Sequence, residues 1–134
     1  MTTETLVIAL RIAGLMMTGI VLANFVAAKR LRYRENLAAC DVMVRQIFHV
    51  HCAYIIAIVG GLAVLCLGWP QLLIADGMGR VLSGFFGLFW ASRVVVQLGY
   101  YDKETRRQNR GWDLFFLGVF TAMSAIFTLA AIFG

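Results

Sequence analysis

The sequence predicts an all-α integral membrane protein, a four-helix up-and-down bundle forming one domain over residues 1–134. Three observations predict it. Hydrophobic residues make up 61% of the 134 residues and charged residues only 14%, against about half and about a quarter in ordinary soluble domains. The apolar residues gather in four runs, each near the roughly 20 residues a helix needs to cross a bilayer. The runs lack the alternation of barrel strands, and lipid offers backbone groups no partners, so helices are the remaining solution. A sphere this small cannot hide so much apolar surface, which excludes a soluble monomer, a disordered chain and a disulfide-rich secreted scaffold.

The first run covers about residues 5–28. Met1-Thr2-Thr3-Glu4 lacks the basic start of a signal peptide, and the run is too long for a signal core, so this helix is expected to be retained. Arg11 interrupts it and reads as a snorkelling anchor, with Glu4 or Asp76 as candidate partner. Arg30 to Asn36 forms a polar, basic break. The second run, about 42–68, opens on Asp41, a suitable N-cap that also stands i,i+4 from Arg45. Gly68-Trp69-Pro70 closes it, because glycine suits a helix C-terminus and proline cannot continue one. Asp76-Gly77 reads as a turn before the third run, about 78–98. That run leaves the bilayer at Tyr100-Tyr101-Asp102, and the fourth, about 113–133, enters beside Trp112. Aromatic residues at these boundaries, and Trp69 at the opposite one, suit the membrane interface.

Orientation follows from lysine and arginine. Lys29, Arg30, Arg32, Arg34 and Arg45 surround the first connection, and Lys103, Arg106, Arg107 and Arg110 the third. Only Arg11 and Arg80 lie toward the other side, and Arg93 lies within the third run. The positive-inside rule then places both basic connections in the cytoplasm and both termini on the non-cytoplasmic side. The rule accounts for the net charge of +5 without nucleic acid as a partner. The expected partners are the lipid bilayer and other membrane subunits or further copies of the chain.

Polar groups inside spans are costly and therefore informative. At 100° per residue the second helix collects Arg45, Gln46, His49, Ala53, Ile56, Ala57, Gly60 and Ala63 on one face. Ile47, Phe48, Ile55, Ile58, Leu62 and Leu65 lie opposite and suit lipid. The third helix aligns Ser83, Phe86, Trp90, Arg93, Gln97 and Tyr101. The fourth aligns Asp113, Leu117, Thr121, Ser124 and Thr128, and the first offers Asn24. Folding the bundle brings Asn24, Arg45, Gln46, His49, Arg93, Gln97, Tyr101 and Asp113 to one depth near the cytoplasmic side. Asp113 is the expected counter-ion of Arg93, with His49 and Gln97 completing a network. Such a network either staples the helices or lines a ligand cavity or proton path.

Other chemistry is sparse. Cys40, Cys52 and Cys66 show no metal-ligand spacing and read as small packing residues. His49 and His51 point about 200° apart on one helix, so one chain cannot clamp a haem between them. Haem would need a second subunit or another axial ligand. Thr121, Ser124 and Thr128 are expected to bond their own helix, with a polar path through the bundle as the alternative. No nucleophile elbow, phosphate loop, carboxylate pair or metal-binding helix marks an enzyme.

Val44-Arg45-Gln46-Ile47-Phe48-His49-Val50-His51 with Tyr54-Ile55, and Phe89-Trp90-Ala91-Ser92-Arg93-Val94-Val95-Val96-Gln97 with Tyr100-Tyr101-Asp102, together resemble an uncharacterised family of small bacterial four-helix integral membrane proteins. The resemblance covers the second and third helices, about half the chain. It implies a bacterial inner-membrane protein and nothing about chemistry. The resulting expectation is a small accessory or oligomeric membrane subunit whose polar cluster binds a small anionic or quinone-like ligand. The alternatives are a translocator of protons or a small solute, acting as a homo-oligomer, and a haem-bearing electron carrier.

Overall fold

A computed structural model describes all residues from Met1 to Gly134. The chain is all-helical: α1 (Thr3–Arg30), α2 (Tyr33–Ala38), α3 (Val42–Gly68), α4 (Gln71–Ile74), α5 (Met78–Gly99), α6 (Lys103–Gln108) and α7 (Arg110–Phe133). The helices α1, α3, α5 and α7 are each long and apolar enough to cross a membrane, and the chain is a multi-pass membrane protein. They match the four expected spans, with α7 starting one turn earlier than expected. The short helices α2, α4 and α6 fall where only connections were expected.

Local sequence sets most boundaries. The Thr2 side chain caps α1 by accepting from the Thr5 N–H, and Asp41 caps α3 by accepting from the Met43 N–H. Arg32 takes a left-handed conformation, φ 54°, between α1 and α2, and an Arg32–Glu35 ion pair spans that turn. Gly77, φ 77°, supplies the turn before α5, a conformation that glycine adopts without steric cost. The Asp41–Arg45 ion pair does not form; only their backbone groups bond. Arg11 is exposed and meets neither Glu4 nor Asp76. Asp76 lies instead 3.9 Å from Arg80.

The four long helices form two antiparallel pairs. The first pair, α1 with α3, closes where Gly14 faces Cys66 and Leu67, and a Cβ on Gly14 would come within 2.8 Å of Leu67. The fully buried Cys66 is thus a small packing residue at a close helix approach. The second pair, α5 with α7, closes where Gly87 backs onto Thr128. Ser124 Oγ donates to the Gly87 carbonyl at 3.0 Å, a cross-helix bond worth about 0.6 kcal/mol in membranes. Thr121 bonds its own helix at the Leu117 carbonyl. The pairs join where α1 meets α7, over a core that includes Leu10, Met17, Trp90, Phe120, Met123 and Phe127. At the terminal end, Ser83 Oγ donates to the Leu73 carbonyl at 2.5 Å, which ties α4 to α5. Arg80 donates to the Ala131 and Ile132 carbonyls at 2.8 Å, closing the C-terminus of α7.

The position of α3 departs from expectation. Its one substantial partner among the long helices is α1. Val59, Leu62, Ala63 and Cys66 form its buried residues, while Gln46, His49, Ala53 and Ala57 are exposed. The helix is rotated away from the expected polar-inward face because the close approach at Gly14 is set by Cys66 and Leu67, not by the polar first turns.

Gly87→Ala is expected to cost about 1–3 kcal/mol, since the new methyl presses on the backbone of α7. Gly84→Ala, whose methyl would sit at an ordinary 3.7 Å from Ala131, should cost less than about 1 kcal/mol. Thermal unfolding of the two variants in mild detergent tests the difference.

Candidate functional site

The chain presents one concentration of intramembrane polar groups, at the basic end where α1 and α5 finish and α3 and α7 begin. The most complete interaction there involves Asp113 on the first turn of α7. Gln97 Nε2 on α5 donates to Asp113 Oδ1 at 2.6 Å. Arg106 on α6 reaches both carboxylate oxygens, Nε to Oδ1 at 3.0 Å and Nη2 to Oδ2 at 3.4 Å. Its Nη1 also donates to the Leu98 carbonyl at 3.1 Å. The two side chains are 20% and 10% exposed, and a charge-assisted fork of this kind is about twice as strong as a neutral hydrogen bond.

The position of α6 makes this possible. Asp102 caps it by accepting from the Thr105 N–H and hydroxyl, at 3.0 and 2.9 Å. These bonds hold the Asp102 carboxyl below its ordinary value. A carboxylate depressed on folding stabilises above its unfolded titration range, and that contribution fades as pH falls through the folded value. The helical turn then swings Arg106 back over the end of α5 toward Asp113.

Arg93 therefore lacks the partner expected for it, because Asp113 is taken by Arg106 and Gln97. No hydrogen bond or ion pair involves the half-buried Arg93 guanidinium, which lies over the Phe120 ring at 5.2 Å from its centre. Phe120 in turn stacks on Trp90 at 5.7 Å. Trp90 is 2% exposed, and its indole N–H is buried without an acceptor. Leaving such a donor unmet costs about 1–3 kcal/mol.

Beside Arg93 lies a hollow of about 250 Å³. Helix α1 supplies Ile20, Ala23, Asn24 and Ala27; α5 supplies Arg93, Gln97 and Tyr101; α7 supplies Phe116 and Phe120. Helix direction orders these walls. Ile20, Arg93 and Phe120 lie deepest, Asn24, Gln97 and Phe116 one turn nearer the basic end, and Ala27 and Tyr101 at the mouth. The hollow is a half-open shaft between α1, α5 and α7 with a cation at its deepest level. Its amides are committed in one direction only. Asn24 Nδ2 donates to the Ile20 carbonyl at 2.9 Å and Gln97 Nε2 donates to Asp113, so both amide oxygens remain without donors.

Two further hollows meet the shaft at Phe116. One is apolar, about 260 Å³, and shares the wall residues Ala23 and Ala27. Arg30 lies over Trp112 at its edge, 5.5 Å from the ring centre. The other, about 390 Å³, is polar and surrounds Arg106 and Asp113.

Of the expected site residues, Asn24, Arg93, Gln97 and Tyr101 share the shaft, and Asp113 adjoins it through Gln97. Arg45, Gln46 and His49 do not join them, because α3 packs beside α1 and not against α5. His49 is exposed, with its ring against Phe48 at 6.0 Å, and His51 Nδ1 bonds the Ile47 carbonyl of its own helix at 2.8 Å. Neither histidine lines the three hollows. Arg106 entered the expectations only as a topology signal. The helix-forming run Lys103 to Gln108 behind an Asp N-cap was the signal for its placement. Tyr33 was not expected either. It packs edge-on against Phe48 at 5.2 Å, and burial, reinforced by nearby Cys52 and Tyr101, pushes its phenol above the usual value. Tyr33 thus bridges α3 toward the shaft mouth.

No family model, curated protein or solved structure matches this chain.

Arg106→Leu leaves the Asp113 carboxylate without its main partner and should lower the melting temperature by several degrees. Adding Asp113→Asn should restore most of that loss. Arg93→Leu, by contrast, removes an uncompensated guanidinium and should leave stability unchanged within about 1 kcal/mol, or raise it. Melting curves of the four proteins in the same detergent separate the two arginines.

Proposed function

We propose that this protein is a small bacterial inner-membrane subunit that works by association and holds a small anion-bearing ligand in the shaft at its cytoplasmic side. The observation that carries the reading is the guanidinium of Arg93, retained inside the bundle without a carboxylate. Such a charge costs stability and is expected to face a functional partner. The ion pair next to it is already neutral, so the shaft floor carries one unmatched positive charge. A quinone would meet Phe116 and Phe120 but leave that charge unanswered.

The asymmetric distribution of lysine and arginine supports the orientation, with the basic end in the cytoplasm and both termini outside. Exposed apolar residues around the bundle, such as Leu15, Tyr54, Leu88 and Val95, are covered by lipid or by neighbouring subunits. The absence of an acidic side chain along the shaft weighs against a proton relay, which favours binding over translocation.

Alkaline phosphatase fused after Gly134 should be active in bacterial cells, and the same enzyme inserted after Gln108 should be inactive. The reverse pattern would place the shaft on the other side and refute the cytoplasmic assignment.

A further inference from the structure

We infer that the ligand of the shaft is a compact organic monocarboxylate with an apolar body, bound charge-first against Arg93. This deepens the proposed ligand-binding function and rests on it. Four features define the class. The floor carries the unmet donors of the Arg93 guanidinium, which rests on the Phe120 ring and has no carboxylate partner. A carboxylate supplies acceptors and one negative charge, and a guanidinium fork matches its two oxygens.

The charge of the ligand is limited to one. Arg93 is the single cation of the shaft, and Arg106 is neutralised by Asp113 at 3.0 Å. A dianion would bring a second charge into a site that has nothing to answer it. The body of the ligand is apolar, because Ile20 and Phe120 flank the floor and Ala23, Ala27 and Phe116 line the walls above it. The part of the ligand that sits beside Arg93 is limited in size as well. A volume of about 250 Å³ accommodates on the order of ten non-hydrogen atoms, given about 30 Å³ for a liquid water.

Depth excludes a phospholipid as the favoured occupant. Arg93 precedes Tyr100 by two helical turns, which puts it about 10 Å below the aromatic boundary. A phosphodiester would have to descend from the headgroup layer to reach it, whereas a small carboxylate enters head-down from the basic end. The free amide oxygens of Asn24 and Gln97, midway along, are placed to accept from a hydroxyl or amine on the ligand.

The test uses the full chain in a neutral detergent and reads ligand-induced shifts in melting temperature, with affinities from calorimetry. The probes are benzoate, 3-phenylpropionate and 4-methylpentanoate, with benzyl alcohol as a neutral isostere, inorganic phosphate, and phosphatidylglycerol. At least one carboxylate should stabilise the protein in a concentration-dependent way, while benzyl alcohol and phosphate do not. Arg93→Gln should weaken that carboxylate by about tenfold or more. Ala27→Phe, which fills the mouth and keeps Arg93, should weaken it too, so the result does not depend on one variant.

Equal binding of benzyl alcohol, or unchanged carboxylate affinity in Arg93→Gln, overturns the inference. Arg93-dependent binding of phosphate or phosphatidylglycerol in place of the carboxylates also overturns it, but leaves the ligand-binding function standing. If no probe binds in an Arg93-dependent way, the inference is overturned, and if Arg93→Leu also destabilises the bundle, the ligand-binding function falls with it.

Discussion

Asp113 can neutralise one guanidinium, and in this protein it neutralises Arg106. Everything distinctive about the basic end follows from that choice. The fork with Arg106 fixes α6 across the end of α5, the bond from Gln97 joins α5 to α7, and the single charge of the carboxylate is matched without Arg93. A buried ion pair often only offsets the cost of removing its own charges from water. Its contribution here is arrangement, because it holds three elements in register and leaves a neighbouring positive charge open toward a cavity.

The bundle around this site depends on small residues. Gly14 against Cys66 and Gly87 against Thr128 let backbones approach closely, which is how helices associate where lipid supplies no hydrophobic drive. The two contacts create two tight pairs, and the looser seam between α1 and α7 leaves the hollows. Tight packing and the hollows are thus divided between different surfaces of the same helices. On α5, Gly87 faces the tight interface, whereas Arg93 and Gln97 turn toward the seam.

Much of this was legible in the sequence. The four spans, the Asp41 cap, the turn at Gly77 and the alignment of Ser83, Trp90, Arg93 and Gln97 on one face of α5 follow from hydropathy, capping chemistry and helical period. The pairing of charges was not legible. Depth alone put Arg93 and Asp113 together, but a six-residue helix in the connection delivered Arg106 to the same carboxylate, and connection geometry leaves no periodic trace. The orientation of α3 was also hidden. Its polar first turns suggested an inward face, yet the rotation is decided by Cys66 and Leu67 against Gly14, contacts whose strength lies in shape and not in polarity. The cost of exposing Gln46 and His49 is modest because they lie near a wet boundary.

Chain order gives the shaft a particular place in biogenesis. Its walls come from α1, α5 and α7, so its first wall leaves the ribosome well before its last. While α1 can bury one side against α3 as a co-translational hairpin, its remaining side stays vacant until α7 emerges and docks. Assembly of the cavity therefore waits for α7, so a chain cut short before it lacks the walls that Phe116 and Phe120 supply.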